Sequence, residues 1–176
     1  MERELIEGII QAINVGDTGR AAKMASAALE RAEQTEPEAI FATEYEIMEL
    51  KGEEAKLLVR KAVDFYRSCG REVALAEFSN PKGRFRKDQL YVYAIDSNGL
   101  MLAHPINEKY IGMDFLRVVD FEGRPFMKEI VGVANAQGCG WVEYKWLNPL
   151  SGYDELKTVY FEKHNDLIIC SGVYDH

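Results

Sequence analysis

The chain, 176 residues long, is predicted to be an α+β domain: a five-stranded antiparallel sheet with a long N-terminal helix and short covering helices. Two observations predict it. Through about the first ninety residues apolar side chains recur at helical spacing, with polar and charged residues between them. From Tyr91 onward they alternate or run in short blocks, and Gly, Asn, Asp and Pro separate the blocks. No internal repeat or low-complexity segment interrupts the pattern.

Leu5, Ile6, Ile9, Ile10 and Ile13 form one apolar stripe, and the chain breaks at Gly16-Asp17, where Asp17 or Thr18 is suited to cap a second helix reaching about Gln34. Residues 1–35 are therefore expected to form a helical hairpin, and residues 36–176 the main domain. Thr35-Glu36-Pro37-Glu38 has the form of a capping box: Thr35 can accept from the Glu38 amide, and Pro37 is tolerated in the first turn. Then Phe41, Tyr45, Met48, Gly52, Ala55, Val59, Ala62, Tyr66 and Cys69 recur at alternating spacings of four and three. That rhythm predicts one long helix, weakened at Gly52, whose seam faces a partner over many turns. The partner is either the rest of the domain or a second copy. Gly70 ends the helix, a short amphipathic piece runs to Phe78, and Ser79-Asn80-Pro81-Lys82-Gly83 breaks the chain before the sheet.

Tyr91-Val92-Tyr93-Ala94-Ile95 and Leu100-Met101-Leu102-Ala103-His104 flank a turn whose Asn98-Gly99 pair favours positive backbone angles, which predicts a hairpin. A short helix is expected between Asp114 and Asp120, and another over Phe126–Asn135, both covering one face of the sheet. Residues 139–146, 157–163 and 167–173 supply three more strands, joined by Asn148-Pro149-Leu150-Ser151-Gly152 and by His164-Asn165-Asp166.

Composition narrows the function. With 29 acidic against 21 basic residues the net charge is −8, a field that repels nucleic acid and anionic lipid. No apolar run approaches the roughly 18–20 residues of a membrane span, and Met1-Glu2-Arg3-Glu4-Leu5 lacks the basic start of a signal peptide. Cys69, Cys139 and Cys170 are odd in number and without metal-type spacing, so they read as buried thiols in a reducing, cytoplasmic compartment. No nucleophile elbow, HExxH, CxxC, P-loop or GxGxxG occurs, and Asp96, Asp114 and Asp120 sit in turns, so neither an enzyme nor a cofactor is expected.

Candidate chemistry lies on the strands. Residues two apart share a face, so Val142, Tyr144 and Trp146 point inward while Trp141, Glu143 and Lys145 point to solvent. Buried Tyr144 and Trp146 carry polar tips that need partners, either a ligand or backbone carbonyls. His104, before Pro105 at the end of its strand, is placed at a pocket mouth as a hydrogen-bond donor or as a structural histidine. Tyr93 and Tyr110 complete this set, as ligand contacts or as core and lid packing.

The Tyr91–His104 hairpin, the run Gly140-Trp141-Val142-Glu143-Tyr144-Lys145-Trp146 and the closing Ser171-Gly172-Val173-Tyr174 resemble the single Cache domains of bacterial and archaeal receptors, a branch of the PAS-like sensor folds. The likeness spans about residues 55–176. It implies a sensor that binds a small organic ligand and signals in chemotaxis or related transduction through its long helix. Lys157 and Tyr160 match a Lys-x-x-Tyr element of the family; spaced by three, they share a face only across a bulge. An inward Lys157 would be a costly buried charge relieved by a bound acid. Flanked by Lys157, Tyr144, Tyr160 and His104, with Phe115, Val142 and Trp146 around its carbons, a two- to four-carbon carboxylate such as acetate, propionate or pyruvate fits this chemistry. In the family a membrane span usually precedes the long helix and none does here, so the chain reads as a free cytosolic sensor or as the extracytoplasmic portion of a receptor. The rival expectation is a helical interaction or assembly module, with a homodimer or signalling partner held through the N-terminal helices and a vestigial pocket.

Overall fold

The computed structural model of the chain describes residues 9, 11, 12, 17, 19–25 and 37–175 and divides into two compact units, Met1–Glu54 and Ala55–His176. In the first, residues 19–25 are helical, and Asp17 Oδ1 accepts the Arg20 amide at 3.0 Å. Asp17 therefore supplies the cap for that turn. The remainder of the hairpin expected over 1–35, Thr35 of the capping box included, lies outside the described residues.

Helix α1, Pro37–Cys69, runs unbroken through Gly52. In the second unit its seam is buried: Val59, Ala62, Val63 and Tyr66 pack on Val92, Ala94, Ala103, Leu167 and Ile169. From Ala55 onward the seam is thus occupied by the domain's own sheet. After Gly70, helix α2 (Arg71–Phe78) buries Ala74 and Phe78, and the Phe78 ring lies 5.1 Å from that of Phe85.

The strands are β1 (Arg86–Lys87), β2 (Leu90–Asp96), β3 (Met101–Ala103), β4 (Cys139–Leu147), β5 (Asp154–His164) and β6 (Leu167–Tyr174). They pair antiparallel in the order β1-β2-β6-β5-β4, with β3 also on β2. Two-residue β1 is an addition to the five expected strands. At the β2–β3 turn Asp96 Oδ1 accepts the amides of Asn98 and Leu100 at 2.8 and 2.9 Å. Gly99 has φ +80°, and a Cβ there would lie 2.6 Å from Leu116 Cγ, so the position is restricted twice over.

Helices cover both faces of the sheet, where the sequence reading placed them on one. Helix α3, Phe126–Gln137, packs Phe126, Met127, Ile130, Val131 and Ala134 on Tyr93, Val142, Tyr144, Val159, Phe161 and Cys170, on the face opposite α1. The reason is visible in β6, where all eight residues are buried: its side chains feed two cores, so the strand is an apolar run instead of an alternation. Between β3 and α3 the chain forms 3-10 turns at Glu108–Tyr110 and Phe115–Arg117. It is tied down by Asp120, whose carboxylate accepts the amides of Glu122, Arg124 and Lys145. One expectation about the thiols fails: Cys170 is buried and Cys69 partly so, but Cys139 is exposed, because it opens edge strand β4 where the chain leaves α3.

Candidate functional site

A cavity of about 20 Å³ lies on the α3 side of the sheet, room for about one ordered water. Strand β2 contributes Tyr91 and Tyr93, two apart and so on one face; β3 and the residue after it contribute Met101 and His104; β4 contributes Tyr144 and Trp146; and β5 contributes Lys157. Tyr110 and Phe115 wall it from the 3-10 turns, Phe126 and Met127 from the first turn of α3.

Register explains why these groups meet. Tyr144 stands directly opposite Lys157 across β4–β5, and Lys157 opposite Tyr174 across β5–β6. Pairing along β5 is continuous, with no bulge, so Lys157 and Tyr160 face opposite ways. Five of the six sequence candidates, Tyr93, His104, Tyr144, Trp146 and Lys157, line the cavity; Tyr160 does not. It is packed on the α1 side, where its hydroxyl donates to Glu162 Oε1 at 2.7 Å. Val142 joins the core beside the cavity without lining it. Sequence reasoning passed over Tyr91 and Tyr174, although Tyr91 shares a face with Tyr93 by the same period of two.

Lys157 is 1% exposed. Its Nζ donates to Tyr91 Oη at 2.8 Å and lies 4.2, 4.8 and 5.6 Å from the ring centroids of Tyr91, Tyr174 and Tyr93. Among the described residues no carboxylate stands within ion-pair distance of it. The ring faces recover part of the lost hydration, on the order of 2 kcal/mol for a desolvated cation. Of the three N–H bonds of the ammonium, one is used on Tyr91.

The neighbouring hydroxyls are donors. Burial pushes the phenols of Tyr93 and Tyr144 well above their ordinary range, so both stay protonated, and their oxygens lie 3.2 Å apart. His104 is uncharged. Burial, and then the Lys157 charge, lower its pKa to about 3, and its Nδ1 accepts the amides of Ile106 and Asn107 at 3.2 and 3.0 Å. Nδ1 being an acceptor, the ring proton is on Nε2. The cavity thus holds one cation, several neutral donors and no anion, within walls of Phe115, Phe126, Trp146 and two methionines. Phe126 stacks on Tyr144 at 4.0 Å. Among the described residues no cluster of His, Cys, Asp and Glu could hold a metal ion, and no helix is long and apolar enough to cross a membrane.

The depressed His104 pKa sets a pH dependence. Between about pH 6.5 and 3 the unfolded chain carries a proton on this ring that the folded chain lacks. Stability from this group is therefore constant above about 6.5 and falls as pH drops below it, by up to about 1.4 kcal/mol per unit. Urea melts from pH 7.5 to 4.5 should show His104→Asn losing stability less steeply than the parent; parallel losses would mean that the ring is protonated freely in the folded state.

An antiparallel sheet with an aromatic-lined cavity against one face and a long helix against the other is the PAS-like architecture of sensor domains. The chain belongs to the single Cache family: the family model described as "Single Cache domain 2" matches residues 38–176. It is 34% identical over 86 residues to the methyl-accepting chemotaxis protein McpP of Pseudomonas putida KT2440, a match that takes in 48% of this chain and 16% of that protein. A methyl-accepting chemotaxis protein from Vibrio parahaemolyticus superposes with a TM-score of 0.65 at 19% identity, over 76% of this chain and 95% of that one. A Cache chemosensory domain solved to explain carboxylic acid recognition superposes at 0.57 with 23% identity, over 81% and 100%. The periplasmic sensor domain of a chemotaxis protein superposes at 0.56 with 24%, over 70% and 90%. At these identities the structural likeness is one of fold.

Proposed function

We propose that this domain senses a short, singly charged carboxylate, in the two- to four-carbon range, as the sensing portion of a chemotaxis or related signalling receptor. The observation that carries this reading is Lys157: a buried ammonium, with no acidic partner among the described residues, in a cavity lined by neutral donors. A carboxylate there would neutralise one charge with one charge and accept from Nζ, from tyrosine hydroxyls and from His104 Nε2–H. A second carboxylate would arrive without a cation, and the ammonium of an amino acid would meet no anion. The small volume favours acetate, propionate and pyruvate over longer acids. Similarity to a chemotaxis protein supports the signalling role, and a fold shared with a Cache domain solved to explain carboxylic acid recognition supports the ligand class.

Transmission would run through β5. Lys157 is on its cavity face; on the other face Glu162 Oε1 accepts from Tyr160 and from Arg60 Nε of α1 at 3.3 Å. A shift of β5 toward a bound acid therefore tugs on the long helix, and does so only as far as the acid binds one placement better than the other.

Thermal melting against a panel tests the ligand class. A monocarboxylate at 100 times its dissociation constant should add about 2.7 kcal/mol, or roughly 5–10 °C at this size, while succinate and glycine at equal concentration should add little. A panel flat for monocarboxylates, with a dimer by light scattering, would instead support the helical assembly module.

A further inference from the structure

We propose that His104 is a positioning residue that latches a flap, residues 105–111, over the cavity and couples the closure of that flap to occupancy. The proposal rests on the ligand reading above and goes beyond it. The flap leaves the end of β3 and is anchored again just past Ile111, where the Gly112 amide donates to Met101 O at 2.8 Å and the Met101 amide to Met113 O at 3.0 Å. Within it, hydrogen bonds are local: Tyr110 N–H to Asn107 O, Ile111 N–H to Glu108 O, and Lys109 N–H to Asn107 Oδ1. Among the described residues its hydrogen bonds to the chain outside it are few. Ile106 and Asn107 donate to His104 Nδ1, and Tyr110 O accepts from Met113 N–H. The hydrogen bonds at one end of the flap therefore converge on a single imidazole nitrogen.

The flap carries a wall of the chamber. The Tyr110 ring lies 5.1 Å from His104, 5.3 Å from Phe115 and 6.3 Å from Trp146. The other walls are sheet strands, the first turn of α3, and Phe115, whose amide donates to Gly99 O. A cavity of about 20 Å³ admits about one water, so even acetate fits only if a wall moves; the flap has few hydrogen bonds to the rest and is otherwise seated by Ile106 and Tyr110 packing on the core. Gly112, at its far end, has φ +87° with open space around it.

The His104 ring faces both ways. Its acceptor nitrogen is spent on the flap, which leaves Nε2–H as the donor toward a guest. A carboxylate that accepts from Nε2–H pushes electron density through the ring and makes Nδ1 a better acceptor, since chained hydrogen bonds strengthen one another. Guest and flap then stabilise each other through one side chain, and the coupling is reciprocal.

Two variants separate the two edges of the ring. His104→Asn keeps an acceptor near the place of Nδ1 and removes the Nε2 donor; His104→Gln keeps a donor near Nε2 and removes the acceptor. Residue-resolved amide hydrogen exchange, with and without saturating sodium acetate, reads the outcome. In the parent protein acetate should slow exchange at Ile106 and Asn107 by about tenfold, within the usual range of coupling between sites. The Asn variant should keep the parent's exchange without acetate, bind acetate more weakly, and show no further slowing at these amides when saturated. The Gln variant should exchange at loop-like rates at both amides with or without acetate, and release acetate faster. Acetate binding that leaves Ile106 and Asn107 unchanged in the parent would overturn the coupling, and so would an Asn variant that responds like the parent. A Gln variant protected like the parent without acetate would overturn the latch itself. Absence of stabilisation by any monocarboxylate is a different result: it removes the ligand reading, and the coupling with it, while the exchange of the two variants without acetate still decides whether His104 holds the flap.

Discussion

Replacing Lys157 with methionine is expected to make the unliganded domain more stable and blind to acids. The side chain is 1% exposed, and its charge is compensated by one hydroxyl and three ring faces, with no carboxylate among the described residues. Methionine is similar in length and carries no charge to desolvate; exchanging a buried charge for a well-packed apolar side chain has stabilised other proteins by about 1–4 kcal/mol. Tyr91 would lose its donor but keep its neighbour, since its hydroxyl lies 3.5 Å from that of Tyr174. Acetate, conversely, would lose its countercharge, at about 2–5 kcal/mol for a buried partner, which means an affinity lower by about 30-fold or more. Urea melts should show a higher midpoint without ligand and no acid-dependent shift. A variant that keeps the full shift removes Lys157 from the site.

Gly172→Ala should be the most damaging single-methyl change in the sheet. A Cβ at Gly172 would sit 2.6 Å from both Thr158 O and Val159 Cγ2, and 3.1 Å from Val159 Cα. Two of these atoms are backbone, in a strand paired on both sides by β2 and β5, so nothing yields without disturbing the ladder. The expected loss is about 3 kcal/mol, the upper end for overpacking, or roughly 6–12 °C in melting temperature. Gly132, inside α3, has open space where a Cβ would go, so Gly132→Ala should be neutral or stabilising by up to about 1 kcal/mol. If the two substitutions cost the same, crowding at Gly172 is not what selects glycine there.

Some of this was legible from residues alone. Period-two alternation is local, so the shared face of Tyr144 and Trp146 follows from their spacing, as does the outward turn of Trp141. That Tyr144 faces Lys157 is a matter of register between strands, which depends on the conformation of the loop that joins them and is not written in either strand. Tyr160 shows the same limit from the other side. Pairing it with Lys157 required a bulge, and β5 has none, so the tyrosine belongs to the α1 core. Covering of both faces could have been found in Leu167-Ile168-Ile169-Cys170, since four apolar residues in succession cannot all point one way. His104 was visible as a residue at a strand end, but its two amide donors come from the following loop, whose path depends on anchors at Met101 and Asp120.

Strand β5 has one more consequence. Its odd-numbered residues Lys157, Val159 and Phe161 touch the chamber or its surrounding core, while even-numbered Tyr160 and Glu162 grip the long helix. Substitutions at the chamber positions of this strand therefore fall outside the cluster that packs on the helix. The lining of the chamber can thus be altered one residue at a time along this strand while the seat of the long helix stays as it was.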